Sequence, residues 1–148
     1  MEVLQYYAKC KILRCIASGG MGDIFLAEQL GSNGFKKRVA IKCIKSDLLY
    51  NKEILDMFIG EANLLANLFH ENIIQVYNFE EIDGCYYLIM EYLEGPNLEN
   101  FINRHKFIRR NIPPNIGAFV IYQIVNGLCY IHKKRDREGN RLKIVHRD

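Results

Sequence analysis

The stretch "NIGAFVIYQIVNGLCYIH" (115–132) restricts this chain more than any other. At helical spacing its Phe119, Ile121, Tyr122, Ile124, Val125 and Leu128 spread apolar surface over nearly the whole circumference. A surface helix keeps one polar face; a helix that is apolar all round belongs to the interior of a larger body. Nothing in residues 133–148 could bury it, so the expectation is a chain that continues past Asp148. The Pro113-Pro114 pair separates this helix from another that begins near Leu98.

The first half has a different period. "KILRCIASG" (11–19) and "GDIFLAEQL" (22–30) are β-prone runs on either side of a glycine cluster, which predicts a hairpin. "SNGF" (32–35) is a turn leading into the apolar run "VAIKCI" (39–44). Ile54, Phe58, Glu61, Ala62, Leu65 and Leu68 then step by threes and fours, as one amphipathic helix does. Strands are expected over 72–79 and 85–93, joined at Asp83-Gly84, and "LEGPNL" (93–98) breaks the pattern like a hinge. The expected fold class is α+β: a small antiparallel sheet with one helix (1–93), then the start of a helical part (94–148).

Composition limits the function classes. With 25% charged residues and a net charge of +3, the chain is ordinary globular material and gives no case for nucleic acid. "KKRDREGNRLK" (133–143), its one dense basic stretch, is interrupted by acids and glycine and suits a solvated loop. Cys10, Cys15, Cys43, Cys85 and Cys129 are odd in number and never spaced C-x-x-C. They favour neither a disulfide framework nor a zinc site and fit a reducing cytosol. The N-terminus lacks the pattern of a signal peptide, and no apolar run is read as reaching membrane-spanning length. A cytoplasmic protein is therefore expected.

Four features could carry chemistry. The glycine cluster in "IASGGMGDIFLA" (16–27) is either a plain hairpin turn or a turn whose N–H groups lie over a phosphate chain. Lys42 interrupts an apolar strand, facing either solvent at an edge or an anion. Glu61 lies in or beside the apolar stripe of its helix, reaching either water or a cation. An out-of-place lysine and an out-of-place glutamate on successive elements suggest an ion pair that could position the lysine on an anionic ligand. His146, Arg147 and Asp148 are either a polar tail or the start of a catalytic loop.

In this order the motifs "ASGGMGDIFLAE", "AIKCIK", "FIGEANLLANLFHENIIQVYNF", "YYLIMEYLEGPNL" and "IVHRD" resemble the protein kinase family, and bacterial kinases of the eukaryotic-like Ser/Thr type above all. The resemblance covers essentially the whole chain. It implies an ATP-dependent kinase of proteins, with a protein substrate, Mg²⁺, and the option of a kinase dimer. Gly19, Gly20 and Gly22 would lie over the ATP phosphates. Lys42 would contact the α- and β-phosphates and pair with Glu61. Ile16, Ile24 and Ala40 would contact the nucleotide, Met90 would be the gatekeeper beside the adenine, and Glu91 and Leu93 would bind its edge through backbone groups. Asn97 falls at a ribose position, and Leu65, Val76 and His146 at positions of the hydrophobic spine. Asp148 would be the catalytic base.

Two departures qualify the match. Ala17 stands where the family has its first loop glycine, which stiffens the turn by one methyl. The catalytic-loop Asn and the Asp-Phe-Gly aspartate have no counterpart among these residues, so no metal ligand is expected within this chain and the fragment alone should be inactive. A non-catalytic nucleotide-binding or interaction fragment stays open as an alternative. A small-molecule phosphotransferase of the same fold is disfavoured by Arg147 and by "HENII" (70–74).

Overall fold

The computed structural model describes residues 6–7, 9–135, 138–142 and 144. They fall into two units. The chain passes from the first to the second after Leu68, returns at Ile74, and leaves again after Tyr92.

The first unit is a six-stranded, wholly antiparallel sheet in the order β1-β2-β3-β4-β6-β5, with one α-helix. Its strands are β1 (Tyr6–Tyr7), β2 (Cys10–Ser18), β3 (Gly22–Leu30), β4 (Lys36–Ile44), β5 (Val76–Ile82) and β6 (Cys85–Glu91). The α+β class expected from the sequence is the one observed. Alternation along β4 sends Ala40 and Ile44 into one core, with Leu88, Met90 and Val76. It sends Val39 and Ile41 into a second core on the opposite face, with Cys10, Ala27, Tyr87 and Ile89. Helix α1 (Lys52–Leu65) closes over the first core through Phe58 and Ala62. Asn51 starts that helix by accepting the Glu53 and Ile54 N–H groups on its side-chain oxygen.

Several boundaries differ from the sequence expectation: β4 starts earlier, at Lys36, and β6 ends at Glu91 rather than at 93. The strand expected over 72–79 runs from Val76 to Ile82. Its first residues are taken by a turn in which the Ile73 N–H donates to the His70 carbonyl. Its end extends to the Asp83-Gly84 turn, where φ values of 51° and 75° match the twist of a tight hairpin. Leu68, placed in the helical stripe by spacing, lies beyond the helix end and is nonetheless only 2% exposed.

The second unit holds α2 (Leu98–Phe107), α3 (Pro114–Lys133) and the short segment Phe69–Ile73. That segment is tied to α3. The Tyr130 hydroxyl accepts the Phe69 N–H at 3.0 Å, and the His70 and Tyr130 rings lie 4.9 Å apart. A Cβ on Gly127 would come within 3.3 Å of the Asn72 carbonyl oxygen, so the glycine admits this close approach. Among its described neighbours α3 buries only Gly127, while Phe119, Ile121 and Tyr122 are 59–63% exposed.

The expectation about membrane-spanning length needs correction. By length and composition α3 is able to cross a membrane: it has 20 residues and carries no charged side chain from Asn115 to Ile131. Asn115, Gln123 and Asn126 disguise this in the sequence, because they interrupt the apolar letters without adding charge.

Candidate functional site

Lys42 and Glu61 meet. The lysine Nζ donates to both carboxylate oxygens of Glu61 at 2.7 Å, joining the C-terminal end of β4 to α1. Helix geometry brings the glutamate there, since Phe58, one turn earlier, is buried in the core and fixes which way α1 faces. The Phe58 ring centroid lies 5.5 Å from the same Nζ. The lysine side chain is 21% exposed and that of Glu61 42%, so the pair is partly desolvated while its outer edge stays open to a ligand.

The apolar candidates share that face of the sheet. Ile24 is the register partner of Lys42, and Ala40 is the partner of Met90. Ile16 and Ile24 pack against the cluster that contains Ala40 and Met90. A flat apolar ring could therefore lie beside a cation held in place by a carboxylate.

The three loop glycines behave differently from one another. A side chain on Gly22 would run into the Cys43 carbonyl, so this glycine is needed for β3 to lie against β4. Gly20 has nothing within 4 Å of its Cβ position, and Gly19 only an ordinary contact to the Gly22 carbonyl oxygen. Neither adopts positive φ. The chain's own packing and conformation do not require glycine at either position, which fits a surface kept clear for a ligand's close approach. Across the turn the Gly19 N–H donates to the Gly22 carbonyl at 2.9 Å, and the Lys45 N–H donates to the Met21 carbonyl at 3.3 Å.

The Glu91 N–H donates to the Gln75 carbonyl at 2.8 Å. Leu93 is 64% exposed in the second unit. Asn97 caps α2, its side-chain oxygen accepting the Asn100 N–H at 2.7 Å. Leu65 and Val76 both belong to the core under α1. Asp148 and His146 lie outside the described residues. Among the described residues no group of three or more His, Cys, Asp or Glu side chains could hold a metal ion.

Sequence reasoning missed two things here. One is the Phe58 ring beside the lysine, which the helical spacing from Glu61 could have suggested. The other is a hydrogen bond between Ser18 and Asp23 across the base of the glycine turn. On the reverse face burial, then the Asp23 carboxylate, push the Cys43 thiol up to about 11, which disfavours its thiolate.

Comparison with known proteins bears on what this arrangement is for. A sequence model described as "Protein kinase domain" matches residues 10–148. The chain is 36% identical, over its full length, to a Myxococcus xanthus protein named Tyrosine-protein kinase MasK, and spans 23% of that protein. It is 33% identical over 93% of its length to the Serine/threonine-protein kinase PrkC of Bacillus subtilis, spanning 19% of it. A crystal structure of the Mycobacterium tuberculosis PknI kinase domain, carrying a single substitution, superposes with a TM-score of 0.69 at 21% identity. That match covers 90% of this chain and 53% of the PknI chain.

Proposed function

Since the chain belongs to the protein kinase family, we propose that it forms the nucleotide-binding part of a kinase that moves the γ-phosphoryl group of ATP to a Ser or Thr hydroxyl of a protein. The observation that carries this reading is the two-oxygen Lys42–Glu61 pair on the face shared with Ile24, Ala40 and Met90. Glu61 holds the ammonium at one place, so the lysine meets the α- and β-phosphates without first losing side-chain freedom. Ile16, Ile24, Ala40 and Met90 offer the apolar surface for adenine. Gly19 and Gly20 leave room for the phosphates under backbone N–H groups.

In the transfer step a bond forms between the substrate oxygen and the γ-phosphorus as the bond to the bridging oxygen breaks. ADP leaves, and the hydroxyl proton goes to a carboxylate, the role the family gives to Asp148. When bound, Mg²⁺ neutralises charge on the phosphates. The family holds this metal with a catalytic-loop Asn and the Asp-Phe-Gly aspartate, which have no counterpart among these 148 residues, so we further propose that they bind ATP without transferring phosphate on their own. Ser/Thr acceptance is supported by PrkC and by further relatives named as Ser/Thr kinases, and opposed by the name of MasK. We also place the domain in the cytoplasm, where ATP is abundant and the free thiols of Cys15, Cys43, Cys85 and Cys129 stay reduced.

The test is Lys42→Met in the whole protein, assayed for phosphate transfer from ATP. Loss of a charge donor to the reacting phosphates should lower kcat by about 100-fold or more while circular dichroism is unchanged. Activity like that of the wild type would remove Lys42 from the mechanism. Phosphoamino-acid analysis decides the acceptor, and phosphotyrosine as the main product would overturn the Ser/Thr reading.

A further inference from the structure

We infer that Ser18 and Asp23 form a clasp that shapes the glycine turn before ATP arrives, acting as positioning residues for nucleotide binding. This rests on the kinase reading above. The Ser18 hydroxyl donates to Asp23 Oδ1 at 2.6 Å, at the short end of the range for O–H···O hydrogen bonds. The two residues are direct partners in the β2–β3 register and form its last pair before the turn. Asp23 is therefore not a loose surface acid.

The clasp answers a need that the glycines create. Gly19 is tied by its N–H to the Gly22 carbonyl, but a Cβ at Gly20 would meet nothing within 4 Å, and glycine has the most backbone freedom to lose when a ligand orders it. The turn is held at its far end by the Met21 carbonyl and by Gly22 against β4. At its near end the side-chain bond from Ser18 reinforces the last pair of β2 and β3. Fixing both ends narrows the conformations of the two glycines between them, which lowers the ordering cost of binding. Ala17 acts in the same direction, because it occupies the first glycine position with a residue of narrower backbone range.

The experiment uses the whole protein with Ser18→Ala, Asp23→Asn, the double variant and Ser18→Thr. It reads the Kd of a fluorescent ATP analogue, the KM for ATP, kcat and Tm. The clasp predicts a rise of about three- to tenfold in Kd and KM for each single variant, with kcat within about twofold, as when binding is lost equally in ground and transition states. The double variant should be no worse than the weaker single one, because the two side chains act through one bond. Ser18→Thr should restore wild-type values. A lower Tm with unchanged KM would make the bond merely structural and overturn the proposal, as would strictly additive effects in the double variant. If the wild type itself binds no ATP analogue, the kinase reading fails and the clasp with it; that result is seen in the wild type, before any variant is compared.

Discussion

Lys42 and Gly22 show how single residues reveal their roles. Lys42 was legible in the sequence because a lysine in an apolar strand and a glutamate in an apolar helical stripe each lack a reason alone and have one together. Gly22 was legible as part of a cluster, yet only the structure separates it from its neighbours: it is required by the Cys43 carbonyl, whereas Gly19 and Gly20 are not required by packing. Gly22→Ala should therefore destabilise the fold by about 1–3 kcal/mol, read by denaturant unfolding, whereas Gly20→Ala should leave stability nearly unchanged and weaken ATP binding instead. Cys43 allows a pH test. Its folded-state pKa is raised to about 11 from 9.0, so the native state holds its proton longer than the unfolded chain does. Its contribution is lost as pH rises across that window, and stability falls there. Asp23→Asn removes part of the cause, so iodoacetamide should label Cys43 faster in that variant at about pH 10 than in the wild type. Equal rates would show that Asp23 does not govern the thiol.

Periodicity found every major element, and the misplaced boundaries have local causes. β5 starts late because the His70–Ile73 turn claims the residues before it, and that turn depends on a partner far away in sequence. Nothing in "HENIIQVYNF" announces that the residues at its start are held by Tyr130, sixty-one positions after Phe69. Gly127 was equally illegible. A glycine inside a helix weakens it by roughly 0.5–1 kcal/mol relative to alanine, and the close approach of Asn72 is what offsets that loss. Gly127→Val should cost about 1–3 kcal/mol, from crowding Asn72 and from the branched side chain in the helix. Removing the Asn97 cap of α2 by Asn97→Ala should cost about 1 kcal/mol of stability through the unsatisfied Asn100 N–H. Thermal melts of both variants check these values.

For the molecule as a whole, the order of motifs carried the family, while the apolar girth of α3 carried a warning. The sequence of that helix calls for burial, and in the structure its Phe119, Ile121 and Tyr122 remain more than half exposed. Patches of this kind drive association. The 148-residue chain on its own should bind ANS and sediment as concentration-dependent oligomers in analytical ultracentrifugation. The same chain within a longer protein, with Ile121 and Tyr122 covered, should do neither. A monodisperse fragment that ignores ANS would contradict this.

The path of the chain between its two units has one more consequence. Because Phe69–Ile73 belongs to the unit formed mostly by later residues, neither unit is one continuous stretch of sequence. A recombination event that exchanged residues 1–92 with those of a relative would import a foreign segment at 69–73 and leave Tyr130 and Gly127 facing it. Such chimaeras should inherit function only when residues 69–73 travel with their own α3. In this protein the heritable module is set by contacts and does not coincide with a cut in the chain.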